Sequence, residues 1–395
     1  MLTHRWTVAE ELPNSRSTIA FSVSRQMMVQ NSVLLHGCFR ILFLYDVAES
    51  FDLEKLRNFL GERGGLVEPA FPRRTPQYVR FEQAPIVEPA EAVFVCEGVT
   101  AACSVKYYAF GVIVIQAEIP FESGWDALVE QGSRWMEAPD VEPQLRALAQ
   151  RRLEQIESMV VRPTEDWLQE SYLVVEIHEI HDTDGKQPTA DQLLALHGAE
   201  IVQLVRGETL PLAAKAREEA LQSGLSYYPT DLVVIGSHGA VVYDRPEDAT
   251  AATQILEYAK MQILEFRYYD RFMTRVLSEF YTTLERKRNI LLARWSMPRE
   301  AQRFNTIRLD VMELAERIDN AIKFISDFYY ARMYRLAARR IGVPDYRNLV
   351  EQKLNTVGEL YDFMMDQFNE TRSFVLEVLV AILAVLDVIF LIRGR

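Results

Sequence analysis

Only three cysteines, Cys38, Cys96 and Cys103, occur in 395 residues. An odd, widely spaced trio excludes a closed disulfide framework and matches no zinc-site spacing. A reducing compartment is the natural reading. Residues 1–33 lack the apolar core of a signal peptide. Glu10 and Glu11 argue against a transit peptide, so this stretch reads as a tail or an irregular first strand. No Walker loop and no dinucleotide fingerprint occur anywhere in the chain. Lysine is scarce too, at 8 residues against 35 arginines, which reflects base composition rather than function.

What is present is a globular mixture, 49% apolar and 11% aromatic, with a net charge of −13. That charge argues against nucleic acid or anionic lipid for the molecule as a whole. It is unevenly placed, however. Residues 1–246 carry 21 basic and 35 acidic groups, a net of −14, whereas residues 247–372 carry 20 and 19, a net of +1.

The pattern along the chain predicts four regions. Residues 1–90 form a small α/β unit: a buried strand Cys38–Val47, a helix Asp52–Leu60 capped by Asp52, a short strand Tyr78–Phe81, and Pro-punctuated loops at Pro69–Pro76 and Pro85–Pro89. Residues 91–246 form an α+β domain. Its strands are Ala92–Cys96, Tyr107–Glu118 and Tyr172–His181. Its helices are Trp125–Met136, Glu142–Val161, Thr189–Val205 and Pro211–Gln222, and Asp231–Ile235 and Ala240–Tyr243 make a hairpin about Gly236-Ser237-His238-Gly239. The N-terminal region is expected to be mixed α/β with a largely antiparallel sheet.

Residues 247–372 form a long-helix, coiled-coil-like domain. Positions 249–293 contain neither Pro nor Gly. Phe304, Ile307, Val311, Leu314, Ile318, Ala321, Ile325 and Phe328 then alternate spacings of 3 and 4, and a second seam runs Val350, Leu354, Val357, Tyr361, Met364, Phe368. Gly342-Val343-Pro344 between them predicts an antiparallel hairpin. The fold class expected is therefore α+β followed by a long helical hairpin and, in residues 373–395, a C-terminal transmembrane helix. Seventeen of the nineteen residues Phe374–Ile392 are apolar, and roughly 28 Å of helix approaches the hydrocarbon thickness. Glu377 and Asp387, about 80° apart on the helix, are expected to line an oligomer contact between membrane helices.

Residues Tyr107–Ile115, Thr230–Asp244, Arg308–Leu314 and the C-terminal Leu376-Glu377 with Asp387 resemble the "required for meiotic nuclear division" family. Where many members carry Trp after the first acid, Val378 stands here. The resemblance covers roughly residues 91–395. It implies a domain of unknown function in a membrane-anchored, self-associating protein. It also implies a place at the bacterial inner membrane with the bulk of the chain cytoplasmic, or at the mitochondrial inner membrane, where relatives support translation as ribosome-associated scaffolds.

Candidate functional residues follow. Antiparallel hairpin geometry would put Arg286, Lys287, Arg288, Arg294, Arg299, Arg303 and Arg308 beside the headgroups of a lipid bilayer. Arg332, Arg335, Arg339 and Arg340 would sit at the hairpin tip, either complementing a helix C-terminus or docking a partner such as ribosome or RNA. His178 and His181 are the densest metal-type residues, but on a strand they point to opposite faces. Ser237 and His238 are adjacent, and neighbours on a hairpin are expected to diverge. No catalytic, cofactor or metal site is assigned. The functional expectation is a non-enzymatic, homo-oligomeric, membrane-anchored scaffold. The alternatives are a membrane-tethered ribosome or RNA docking protein, and a metal-dependent enzyme with its site in the 171–245 sheet.

Overall fold

The computed structural model describes residues 33–61, 64–66, 84–94, 99–137, 141–181, 187–286 and 328–393, with the isolated positions 139, 302, 306 and 309. Its centre is one sheet in the order β2-β3-β4-β5-β1-β6-β9-β8-β7, nine strands among the described residues. The strands are β1 (Leu34–Phe51), β2 (Gly65–Leu66), β3 (Ile86–Phe94), β4 (Thr100–Tyr107), β5 (Val112–Ser123), β6 (Val160–His181), β7 (Gly224–Leu225), β8 (Leu232–Ile235) and β9 (Gly239–Tyr243). Every neighbouring pair is antiparallel except β6 with β9. Strands from both sides of residue 90 thus share one sheet.

β1 lies between β5 and β6, and its alternation builds two cores. Leu35, Phe39, Ile41, Phe43 and Tyr45 pack on one face, Leu42 and Leu44 on the other. A strand buried on both sides needs apolar residues in succession, hence the run Cys38–Val47. The first face is covered by α1 (Leu53–Leu60), α2 (Trp125–Glu137), α3 (Glu142–Gln155) and α4 (Ala190–Arg206). Asp52 caps α1, accepting from the Lys55 N–H at 3.1 Å. Thr189 and Gln192 form a capping box on α4. A short α5 (Ala214–Leu221) leads into β7.

The second face is covered by α6 (Pro246–Arg286), a helix of 41 residues. Ala249, Ala252 and Ala259 keep its backbone close to the strands, and Leu256 and Leu264 fill the space between. α7 (Phe328–Ile341) and α8 (Val343–Arg393) complete this layer. Gly342, at φ +94°, makes the turn between them.

Several expectations are corrected. Pro89 lies inside β3 rather than in a loop. Among the described residues its strand is flanked on one side only by the two-residue β2, which pairs at Ile86 and Val87, and such an edge tolerates proline. Residues 157–161 leave the helix for a 3-10 turn and the start of β6, which begins twelve residues earlier than expected and passes through Pro163. The first coiled-coil seam, Phe304 to Ile325, lies outside the residues described in sequence, and the Tyr78–Phe81 strand lies outside them entirely. The second seam does not zip against the preceding helix. Val350 and Val357 are buried with α6, which runs parallel to α8: Gly342 approaches Ile263 and Lys353 approaches Asp270. α6 already offers an apolar face there, so α8 buries its stripe on that face.

The largest correction concerns the C-terminus. Among the described residues no helix is long and apolar enough to cross a membrane. The apolar segment is the end of one 51-residue helix. Glu377 and Asp387 limit its longest uncharged stretch to the nine residues 378–386, against about 20 predominantly apolar residues for a span. The transmembrane helix and the inner-membrane localisation are thereby overturned.

Candidate functional site

The chemistry-bearing side chains gather where α6 lies on the sheet. Strand alternation brings Arg40, Asp46, Lys106, Gln116, Glu118, Glu170 and Glu176 to the face that α6 covers, and α6 answers with Thr253, Glu257, Lys260 and Glu265. Glu176 is fully buried. It takes Arg40 Nε at 2.7 Å, the Thr253 hydroxyl at 2.6 Å and His178 Nε2 at 3.3 Å. Arg40 also pairs with Glu118, which accepts from Gln116 at 2.7 Å. Burial alone would push the Glu176 carboxyl up. The His178 hydrogen bond, the Arg40 charge and the Thr253 hydroxyl together hold it below its ordinary value.

One turn along, Glu257 accepts from Lys106 Nζ at 2.5 Å and from the Tyr108 hydroxyl at 2.6 Å. Lys260 donates to Glu170 at 2.6 Å, and Arg267 pairs with the same carboxylate. Burial pushes Lys260 down to about 8 despite that partner. Among the described residues Asp46 and Glu265 have no such cation. Burial pushes Asp46 up to about 7; burial and the Asp46 charge push Glu265 well above its ordinary value. Both shifts favour the protonated form of these carboxyls relative to an exposed acid.

The first three clusters are largely saturated with internal partners, as buried charges must be. Cys38 is buried, its thiol pushed up to about 12 by burial. Among the described residues no three His, Cys, Asp or Glu are grouped to hold a metal ion. His178 joins the Glu176 network, while His181 pairs with Glu179 at 3.2 Å and sets its ring against His36 at 4.8 Å. Ser237 Oγ lies 2.8 Å from His238 Nδ1, against the expected divergence, because the turn rather than a strand carries both. Burial and the Lys260 charge lower His238. Among the described residues no carboxylate pairs with it.

The other sequence candidates stand apart from this seam. Glu377 is exposed on α8, and the Asp387 side chain lies outside the described residues. Arg286 ends α6; Lys287, Arg288, Arg294, Arg299, Arg303 and Arg308 lie outside the described residues. Arg332, Arg335 and Arg339 are exposed on one stripe of α7, and Arg340 donates to the Glu219 carbonyl at 3.1 Å. The seam itself was missed in sequence. A signal existed: Arg40 interrupts CFRILFLYDV and Glu176 interrupts YLVVEIHEIH, and a charge inside a buried strand demands a partner.

The second surface is the end of α8. Phe374, Val380, Leu383, Val385 and Phe390 are 63%, 63%, 55%, 58% and 81% exposed. Apart from Glu377 and Asp387, residues 374–392 of this end are all apolar.

This architecture defines a mixed-sheet domain with helices on both faces, of a family whose activity its description leaves open. The chain belongs to the family described as "Uncharacterized protein MJ0711, N-terminal domain", which it matches over residues 36–249. A curated relative, Uncharacterized protein MJ0711 of Methanocaldococcus jannaschii, is 20% identical over 199 residues, covering 50% of this chain and 61% of that protein. The chain thus spans about three fifths of that relative's length. No solved structure matches. The domain of unknown function implied by the sequence resemblance stands in that coarse form. The family shown is that of MJ0711, not the meiotic nuclear division family.

Proposed function

We propose that the protein is a non-enzymatic, homo-oligomeric scaffold that assembles through the C-terminal end of α8. One observation carries the reading: large apolar side chains from Phe374 to Phe390 are exposed around the helix. So large an exposed apolar surface on a helix requires cover. The cover proposed is the same segment of further copies. The heptad phase of α8 continues through Val378, Ile382 and Val385, a seam suited to helix pairing. On that phase Glu377 falls outside the seam, where water solvates it. The internal pairing of Glu176, Glu257 and Glu170 beneath α6 supports a structural role for that layer.

Mass measurement of the full chain, in buffer and in mild detergent, tests this. A defined oligomer that falls to a lower state on truncation after residue 372 is the expected result. A monomer under both conditions overturns it.

A second reading has its own observation. Phe328, 77% exposed, heads a stripe continued by Arg332, Arg335 and Arg339 at spacings of 4, 3 and 4. The exposed Tyr227 meets Tyr329 beside it at 5.4 Å. A stripe of cations beside the exposed Phe328 and Tyr227 rings suits a single-stranded RNA partner. Cross-linking to RNA that disappears on replacing Arg335 and Arg339 with Gln is the expected outcome. Cross-linking unchanged by those substitutions removes this reading.

A further inference from the structure

The antiparallel ladder between β1 and β6 is broken at one place. Asp46 pairs with Leu168 and Ala48 with Pro163, so residues 164–167 stand opposite Val47 alone. The bulge begins beside Arg162, whose φ of +48° is the single positive value on a non-glycine residue among those described. Such a conformation costs energy and is kept where the surroundings impose it. Trp167 turns back to the first core and stacks beneath Arg146 at 5.5 Å. The preceding residues are thrown the other way, over α6. Bulges of this kind re-aim side chains and recur beside binding sites.

Between the bulge and α6 lies a cleft of about 230 Å³. One wall carries Glu165 and Asp166. The other is a single face of α6, at spacings of 3, 1 and 3: Tyr268, Arg271, Phe272 and Arg275. The Tyr268 and Phe272 rings lie 6.3 Å apart and within 9° of parallel. All four charged side chains are exposed, and among the described residues none of them has an opposite charge within 4 Å.

We propose that this cleft binds a free amino acid with an aromatic side chain. The argument has three parts. The lining holds two cations and two anions on opposite walls, so its charges sum to zero and are separated in space. That pattern complements a zwitterion: a carboxylate on Arg271 and Arg275, an ammonium on Glu165 and Asp166. The two parallel rings offer a planar group their faces and edges. The volume lies below the range of drug-sized sites, which begins at about 300 Å³. A nucleoside monophosphate satisfies the arginines but sets its net negative charge against both acids. The site is independent of the α8 assembly and stands whether or not that reading holds.

Calorimetric titration of the full chain tests the proposal. L-phenylalanine and L-tryptophan are compared with 3-phenylpropionate, which lacks the amine, phenethylamine, which lacks the carboxylate, and adenosine monophosphate. The expected result is saturable binding of at least one amino acid, with each one-armed analogue weaker by about tenfold or more. Arg271→Gln with Arg275→Gln is expected to reduce amino-acid binding to the level of phenethylamine. Glu165→Gln with Asp166→Asn is expected to reduce it to that of phenylpropionate. These side chains are exposed, so the melting temperature is expected to stay put. Should a Gln variant lose stability, Arg271→Lys with Arg275→Lys keeps the charge and is expected to retain part of the affinity. Absence of binding by both amino acids, analogues that bind equally well, tighter binding of the nucleotide, or affinity indifferent to all three variants overturns the proposal.

Discussion

Lys106 Nζ and Glu257 Oε2 lie 2.5 Å apart, and both residues are buried. They belong to β4 and α6, separated by 151 residues of chain. Their pairing ties the long helix to β4, and Lys260 with Glu170 forms the matching tie to β6, three strands across the same face.

Breaking that pair from one side should be costly. Glu257→Gln leaves the Lys106 ammonium buried without its carboxylate, and the expected loss is about 3–5 kcal/mol. The double variant Lys106→Met/Glu257→Leu removes both charges and should recover most of it. Urea unfolding of the three chains reads the difference directly. Equal losses in the single and double variants would sink this account.

The Asp46–Glu265 pair predicts an unusual pH dependence. The folded pKa of Asp46 is raised to about 7 by burial, against about 3.9 in an unfolded chain. The folded state therefore binds the proton more tightly. Its contribution to stability is fully present below about pH 4 and is lost as pH rises through 7. Asp46→Asn should flatten the stability profile between pH 4 and 7 and exceed the parent at pH 8. Thermal melts across that range check the sign.

Gly111 sits at φ +85°, and a Cβ there would lie 1.8 Å from the Ala48 carbonyl oxygen. The left-handed backbone alone costs an L-residue about 1–2 kcal/mol, and the clash adds to it. Gly111→Ala should destabilise by several kcal/mol, measured by urea unfolding. Gly65→Ala, where the nearest atom is 3.9 Å away, is the control and should cost little.

On α8, Val378→Glu with Ile382→Glu places acids on the proposed seam of exposed apolar residues. Association should weaken while the melting of the sheet domain stays unchanged. Sedimentation and calorimetry separate the two effects. An oligomer indifferent to both acids would remove α8 as its contact.

Local patterns carried much of the fold. The hairpin about Gly236–Gly239 was legible because its turn needs glycines at fixed places, and α6 was legible because 249–293 lacks any breaker; the described helix spans 246–286. The first half of β6 was not legible. Pro163 reads as an interruption, and only the bulge opposite Val47 lets the strand pass through it. Pro89 misled in the same way, since its edge position depends on how short β2 is. The α8 seam was legible as a stripe, but its partner was not: periodicity tells which face is buried and says nothing of what covers it.

By itself, then, the sequence determined the alternation of elements, the two-sided burial of β1 and the apolar end of α8. These follow from side-chain period and composition, which are local. The tertiary structure alone decided which charges meet. Arg40, Lys106, Glu176 and Glu257 each look misplaced in an apolar stretch. The β1–β6 register brings Arg40 to Glu176, and the laying of α6 across the sheet brings Glu257 to Lys106, each pairing being set across more than a hundred residues.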